Sequence, residues 1–565
     1  MSNYKTDYKR WLECGLLSTE EKQELSDISD NEKEIEERFY RELEFGTAGM
    51  RGILGIGKNR MNIYNVRRAA QGVAKYVHDA KTADKGVLIG YDTRNFSRIF
   101  AEETAKTLAA NGVKAFLFDT VHSVPEVSFG IRELGCGAGV MITASHNPKE
   151  YNGFKAYGPD GGQLPPEAAQ IVIDAINSYD VFDDVKVMSL EEATEKKLVE
   201  VVGPELNEKF LQIIKTQQIN PEAANEVADT MKLVYTPLHG TGSRPVKEIL
   251  KRIGFKHVLV VQEQDNEDGN FPTVKSPNPE NAEGFKRAIE IAEENDVDLI
   301  IGTDPDCDRV GIVVRDADGV YRTLTGNQTG ALLVEYILRA RKERGELPKD
   351  GVVIKTIVTT ELATAIAKAY GIEVMSLLTG FKYIGEKMTE FAEKKNHTFL
   401  IGFEESYGYL VGNHARDKDG VVATMLIAEM AAYYRTKGMT LYEALQNIYK
   451  TYGYYAERTI SFTMPGKDGM VKMAEIMSNL RTSPIKKAIG NDVVCTTDYE
   501  YDDTGLPKSN VVKYELSDEK TYFIVRPSGT EPKIKLYIGT CADSMEQGNA
   551  LIDELVEDVK KQMGI

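Results

Sequence analysis

Leu299-Ile-Ile-Gly-Thr-Asp-Pro-Asp-Cys-Asp308 sets an apolar run against a loop bearing three carboxylates. The run is too short for a buried helix, and the Gly and Pro that follow end it. It therefore reads as a buried strand opening into a polar loop. The same arrangement recurs on both sides. Toward the N-terminus, Val87-Leu-Ile-Gly-Tyr91 leads into Asp92-Thr-Arg-Asn95, Ala138-Gly-Val-Met-Ile142 into Thr143-Ala-Ser-His-Asn-Pro148, and Leu233-Val-Tyr235 into Thr236-Pro-Leu-His-Gly-Thr-Gly242. Toward the C-terminus, Val352-Val-Ile354 leads into Lys355-Thr-Ile-Val-Thr-Thr360, and Phe399-Leu-Ile401 into Gly402-Phe-Glu-Glu-Ser406. Longer amphipathic stretches separate these runs, which predicts βα units, largely parallel sheets and several related α/β domains. In open sheets of this kind ligands sit beyond the carboxyl ends of the strands, so the polar loops are candidate site loops.

The two ends of the chain differ from this pattern. Residues 1–44 are charge-dense and helical in period, with a helix start at Ser18-Thr-Glu-Glu21. From about Tyr454 onward, Glu457-Arg-Thr-Ile-Ser-Phe-Thr463 alternates like a sheet with one solvated face. Tyr522-Phe-Ile-Val525 and Lys535-Leu-Tyr-Ile538 flank an Arg-Pro-Ser-Gly-Thr turn, and an amphipathic helix covers about 543–562. This stretch predicts a smaller α+β domain.

Composition bounds the function. At roughly 150 residues per domain, 565 residues make about three or four domains. Hydrophobic residues at 42% and charged residues at 28% exclude a mainly disordered chain. With 69 Lys+Arg against 87 Asp+Glu the net charge is −18, which argues against broad nucleic-acid binding. An anionic ligand must then be caught by local clusters of positive charge. No apolar run approaches the ~20 residues of a membrane span, and MSNYKTDYKRWLECG has no apolar signal core. The five cysteines are odd in number and show no CxxC spacing, which fits a reducing cytoplasm with neither a disulfide framework nor a zinc site.

Four constellations can carry chemistry. In Thr143-Ala-Ser-His-Asn-Pro148, followed by Tyr151-Asn-Gly-Phe-Lys155, Ser145 can be a nucleophile or phosphate carrier, with His146 and Lys155 close in sequence. Taken alone, the stretch reads first as a Ser-Asn-Pro turn whose hydroxyl bonds its own backbone, and second as a phosphate carrier. It is not a GxSxG elbow, since Thr143 and Asn147 stand where the glycines belong. Asp304, Asp306 and Asp308 alternate along an extended loop and can converge on one hard cation such as Mg²⁺. Without a cation or Arg309 to neutralise them they repel one another. Gly402-Phe-Glu-Glu-Ser406-Tyr-Gly408 offers paired acids and a hydroxyl suited to sugar hydroxyls, or else an acidic helix start. Arg526-Pro-Ser-Gly-Thr-Glu-Pro532-Lys533 combines hydroxyls, exposed backbone N–H groups and a guanidinium into a phosphate nest. Two weaker stretches are Phe45-Gly-Thr-Ala-Gly-Met-Arg51-Gly52 and His414-Ala-Arg-Asp-Lys418-Asp-Gly420. Lys418 is the candidate acid/base of the latter.

With TASHNP at 143–148, DPDCD at 304–308, GFEES at 402–406 and RPSGTEPK at 526–533 in that order, the chain resembles the α-D-phosphohexomutase superfamily, which includes phosphoglucomutases and phosphomannomutases. The resemblance runs from about Phe45 to Tyr537. It implies three α/β domains and a smaller C-terminal α+β domain around a central cleft, with boundaries expected at 1–205, 206–324, 325–453 and 454–565. It implies Ser145 as the phosphoserine. Asp304, Asp306 and Asp308 would hold Mg²⁺ with a phosphoserine oxygen at 145 as a further ligand, and Glu404 and Ser406 would bind sugar hydroxyls. Arg526, Ser528, Gly529 and Thr530 would bind the non-reacting phosphate. Thr379-Gly-Phe-Lys-Tyr-Ile-Gly385, with Thr379, Gly380 and Lys382, resembles the sugar-facing loop. Arg51, His146, Lys155 and Lys418 match positioning or acid–base positions, and Arg309 would assist transfer.

The implied activity is an isomerase moving a phosphoryl group between glucose 1-phosphate and glucose 6-phosphate through a glucose 1,6-bisphosphate intermediate. The wording GFEESYGYL resembles a branch containing phosphoglucomutases and phosphopentomutases, so glucose is expected first, ribose or deoxyribose next and mannose third. Expected partners are small sugar phosphates, with the chain a monomer or homodimer. A haloacid-dehalogenase-type phosphatase is the rival reading of Asp304-x-Asp306, and it leaves TASHNP and RPSGTEPK without a role. A non-catalytic sugar-phosphate sensor is a second rival, and the intact Ser145 and carboxylates argue against it.

Overall fold

The computed structural model describes residues 4–46, 49–464, 466–528 and 533–565. Four sheets organise them. The first has seven strands, in the order Phe45–Gly46, Gly49–Ile53, Tyr151–Tyr157, Ala138–Ile142, Val87–Tyr91, Ala115–Phe118 and Val199–Val202. Val87–Tyr91 and Ala138–Ile142 are buried at every position and pair in parallel. Their uninterrupted apolar sequences are what burial on both faces demands. Tyr151–Tyr157 then folds back antiparallel on Ala138–Ile142, so the loop 143–150 is a tight return rather than a crossover.

The second sheet runs Tyr321–Thr323, Val310–Arg315, Leu299–Thr303, Lys232–Thr236, His257–Val260. Leu299–Thr303 is parallel to Lys232–Thr236 and antiparallel to Val310–Arg315, which places the three aspartates in the connection between two paired strands. The third runs Glu373–Leu377, Gly351–Thr356, Thr398–Glu404, Gly408–Leu410. The fourth is antiparallel throughout and spans Tyr454–Thr463 to Lys487–Ala488, with Tyr522–Pro527 beside Lys533–Ala542. Helix Met545–Gln562 closes it. The first three sheets are thus mixed, with parallel ladders toward one side and antiparallel strands added at the other.

The N-terminal helices Tyr4–Glu13, Thr19–Asp27 and Glu32–Phe39 pack on the first sheet's unit through a cluster that includes Ile56, Tyr64 and Phe182. Ser18 and Glu21 form the expected capping box. Trp11 meets Phe39, Tyr64 and Phe182 edge-on, the preferred geometry of aromatic quadrupoles. The first and fourth units have apolar cores of their own. The second and third share one, through helix Gly420–Thr436, whose residues are buried from Gly420 to Tyr434. A helix that is apolar all round belongs inside. Its Glu429 accepts the N–H of Ile219 and the hydroxyl of Tyr336 at 2.8 and 2.7 Å, so the buried carboxylate is satisfied across the seam. Among the described residues no helix is long and apolar enough to cross a membrane.

Candidate active site

Loops from separate sheets meet at Ser145. The return between Ala138–Ile142 and Tyr151–Tyr157 holds Ser145 in the left-handed region at φ 52°, a conformation that costs a residue with a Cβ about 1–2 kcal/mol. Gly153 is required behind it, because a Cβ there would stand 2.5 Å from the Thr143 carbonyl oxygen. The Ser145 N–H donates to Thr143 Oγ1 at 2.8 Å, and the Thr143 hydroxyl donates to Asp306 Oδ2 at 3.2 Å. Ser145 Oγ lies 3.0 Å from Asp304 Oδ2 and 3.1 Å from His146 Nδ1. The expected partners of Ser145 are therefore brought together from positions some 160 residues apart, as 304 against 145.

Asp304, Asp306 and Asp308 are all buried, and each offers an oxygen within 4.8 Å of the others'. Asp304 Oδ1 is taken by the N–H groups of Asp308 and Arg309, both at 3.0 Å. Asp306 Oδ2 takes Lys155 Nζ at 2.8 Å, and Asp308 Oδ2 takes Lys418 Nζ at 3.1 Å. The remaining oxygens, Asp306 Oδ1 and Asp308 Oδ1, are buried and have no hydrogen-bond partner among the described residues. Buried carboxylate oxygens left open in this way, on three converging aspartates, can hold a hard divalent cation. Burial, with the charges of Asp306 and Asp308 added, pushes the Asp304 carboxyl well up. Burial works the same way on Asp306, but the ammonium of Lys155 outweighs it and holds that carboxyl low. A bound cation would favour the ionised form of all three.

Lys155 and Lys418 are buried, and burial alone would lower both. The charges of Asp306 and Asp308 on Lys155, and of Asp308 and Asp417 on Lys418, raise both instead. Lys418 reaches Asp308 by passing over Gly408, where a Cβ would stand 2.1 Å from its Cδ. Burial and then the cations Arg309, Arg51, Arg94 and Lys155 lower His146 far below its usual range, so its ring is neutral. Arg51 Nη1 donates to Asn147 Oδ1 at 3.0 Å, holding the serine loop from its outer side. Arg309 turns its side chain to Glu280.

The other predicted residues gather around a second centre. Glu404 Oε1 accepts the Gly380 N–H at 2.9 Å, which ties the GFEES turn to the Thr379–Gly380 loop. Burial raises the Glu404 carboxyl, against Lys418. Lys382 lies over the Tyr383 ring at 5.0 Å and burial lowers its ammonium. Ser406 follows at the turn between strands Thr398–Glu404 and Gly408–Leu410. Arg526, at the end of strand Tyr522–Pro527, lies 3.5 Å from Tyr537 Oη, and the Ser528 N–H bonds the Lys533 carbonyl at 2.7 Å. The tip of that loop, with Gly529 and Thr530, lies outside the described residues. Ile524 and Tyr537 share an apolar cluster with Ile357, Val358 and Leu378, so the fourth unit docks on the third beside the sugar-type loop.

The chain matches alpha/beta/alpha domain I of phosphoglucomutase/phosphomannomutase over residues 42–181, domain II over 207–319 and domain III over 325–452. The chain belongs to the phosphoglucomutase/phosphomannomutase family. It is 36% identical over 533 residues to a phosphoglucomutase of Staphylococcus saprophyticus, covering 92% of this chain and 94% of that one. In fold it is similar to pp63/parafusin, a phosphoglucomutase from Paramecium, with a TM-score of 0.67 at 18% identity, covering 92% of this chain and 94% of that one. A phosphoglucomutase/phosphomannomutase family protein from Burkholderia thailandensis also scores 0.67, at 17% identity, with 92% and 97% covered. Within this family frame, the N-terminal helices and the fourth sheet lie outside the three matched domains.

Sequence reasoning missed several residues that the site uses. Asp417 bonds Lys418 Nζ at 3.0 Å and also receives Tyr157 Oη at 3.2 Å and Gln163 Nε2 at 2.9 Å. Ser276 Oγ donates to the His146 carbonyl at 2.7 Å. Arg94 lies buried behind the serine loop. The strand-end rule singled out the Asp92–Asn95 loop, but no spacing indicated which of its residues faces residue 145.

Proposed function

We propose that the chain interconverts glucose 1-phosphate and glucose 6-phosphate through phosphoserine at Ser145. The observation that carries this reading is the Ser145 hydroxyl 3.0 Å from Asp304, within a trio of buried carboxylates that leaves oxygens open. Family membership and a 36% identical phosphoglucomutase support it. Asp304, Asp306 and Asp308 would hold Mg²⁺, which when bound supplies charge neutralisation for the transferring phosphoryl group.

The chain's own groups would do the rest. Lys155 and Lys418, held cationic by their aspartates, face the charge that spreads over the phosphoryl oxygens. In the first half-reaction a sugar hydroxyl attacks the phosphorus, the Ser145 Oγ–P bond breaks, and the proton of the attacking hydroxyl ends on Oγ. Neutral His146, 3.1 Å from that oxygen, can relay it by taking up the hydroxyl's proton and passing it to Oγ, which returns the ring to neutral. The sugar bisphosphate, glucose 1,6-bisphosphate, then turns around, and its other phosphate returns to Ser145. Glu404 and Ser406 would orient the sugar in both directions, with Thr379 and Lys382 beside them. Arg526, Ser528, Gly529 and Thr530 would hold the distant phosphate. Boundaries at 205/206, 324/325 and 453/454 leave each sheet within one domain, and the 454–565 domain would act as the closing lid.

A panel of glucose, mannose, ribose and deoxyribose 1-phosphates, with Mg²⁺ and a trace of glucose 1,6-bisphosphate, tests the reading. Glucose 1-phosphate is expected to give the largest kcat/KM. A larger value for a pentose or for mannose overturns the sugar assignment. The Arg526→Ala variant is expected to raise KM by roughly 10- to 100-fold, the weight of a charge-assisted hydrogen bond, with kcat much less affected. An unchanged KM removes Arg526 from the phosphate site.

A further inference from the structure

We propose that Arg94 is the positioning residue that fixes Ser145 in its reactive conformation. The proposal rests on the phosphoserine reading above. Arg94 extends from the Asp92-Thr-Arg-Asn95 loop after strand Val87–Tyr91, and its guanidinium is wholly shielded from solvent. It spends its donors on backbone oxygens of a single loop. Nη2 donates to the carbonyls of Ser145, at 2.5 Å, and Asn147, and Nη1 to those of Pro148 and Tyr151 at 2.9 and 3.1 Å. A guanidinium is planar and rigid, so four carbonyls aimed at it are fixed relative to one another.

The loop needs such an anchor because Ser145 sits at φ 52°. The left-handed conformation is uphill for serine and persists only where the surroundings over-determine it. Turning the Ser145 carbonyl onto Arg94 settles the peptide on one side of the residue, and the Ser145 N–H bond to Thr143 settles the other. The side chain is then left pointing at Asp304. Arg94 is itself braced. Asp92 Oδ2 lies 3.3 Å from its Nε, and Asp92 Oδ1 accepts its N–H at 3.0 Å. The Phe271 ring, from the unit that carries the aspartates, lies 5.0 Å from its guanidinium carbon. One cation therefore aligns the serine loop and contacts the metal-loop unit without reaching the reacting atoms.

The test compares Arg94→Lys, Arg94→Ala and Asp92→Asn with the unaltered protein. It measures melting temperature, steady-state kcat and KM, and the rate at which glucose 1,6-bisphosphate phosphorylates Ser145, followed by intact mass. Arg94→Lys keeps the charge but loses the fork. It is expected to fold, to keep KM within about threefold, and to lose ~10²-fold in kcat and in the phosphorylation rate, the scale of a 1 Å misplacement. Low millimolar guanidinium is expected to restore part of kcat in Arg94→Ala. A folded Arg94→Lys with unaltered kcat, or a folded Arg94→Ala that guanidinium does not rescue, overturns the proposal. If both arginine variants fail to fold, Asp92→Asn decides: a folded form with normal kcat and phosphorylation rate overturns the proposal, and a lowered rate at unchanged KM upholds it. If the unaltered protein itself takes up no phosphate at Ser145, the phosphoserine reading fails, an outcome separate from any result on the variants.

Discussion

Ser145→Ala is expected to lower kcat by ~10⁴-fold or more, as removal of a covalent nucleophile does, while glucose 1-phosphate still binds. The variant deletes one oxygen. That oxygen bonds Asp304 and His146, and Asp304 retains its two backbone donors at 3.0 Å. The loss in stability is then only about 1 kcal/mol, one hydrogen bond, and the aspartate trio and Lys155 stay in place. Titration calorimetry with glucose 1-phosphate, beside the mutase assay, separates binding from chemistry. A variant that keeps more than a hundredth of the activity contradicts a phosphoserine at 145, because the phosphoryl group would then be passing through a different acceptor.

Removing divalent cation has the second-largest expected effect. Chelation withdraws several kcal/mol of charge stabilisation from the transfer, on the order of 10³-fold in rate, and Mg²⁺ is expected to restore it. The Asp308→Asn variant is expected to need far more Mg²⁺ for half-maximal activity, since it takes a full charge from a trio whose carboxylates converge within 4.8 Å. Thermal melts give a readout free of turnover. At [Mg²⁺] of about 100 Kd, binding to the native state adds about 2.7 kcal/mol, so the melting temperature of the unaltered protein rises with Mg²⁺ and that of Asp308→Asn does not under the same conditions. Equal Mg²⁺-dependent shifts in the two proteins place the ion elsewhere.

The pattern of legibility follows from range. The strands that end in site loops were readable because burial on both faces writes itself as an apolar run, as in Val87–Tyr91 and Leu299–Thr303. The aspartate trio was readable because its members lie within five consecutive residues. Contacts that close the site from afar were not readable. Lys155 on Asp306 and Lys418 on Asp308 span more than a hundred residues each, and nothing in a lysine's local sequence names its counter-ion. Arg94 was harder still, because its acceptors are backbone carbonyls, which every residue type carries. The antiparallel return of Tyr151–Tyr157 depends on Gly153 meeting the Thr143 carbonyl, a tertiary approach that a glycine in sequence only permits.

Helix Gly420–Thr436, with Glu429 inside it, has a consequence for how the molecule comes apart. Because the apolar interior runs without a break from the aspartate-bearing body into its neighbour, neither can melt and leave the other intact. The loops that carry the three aspartates and Glu404 must be lost and regained in one cooperative event. Local opening that leaves this shared interior intact is thereby confined to the flanking bodies at either end of the chain.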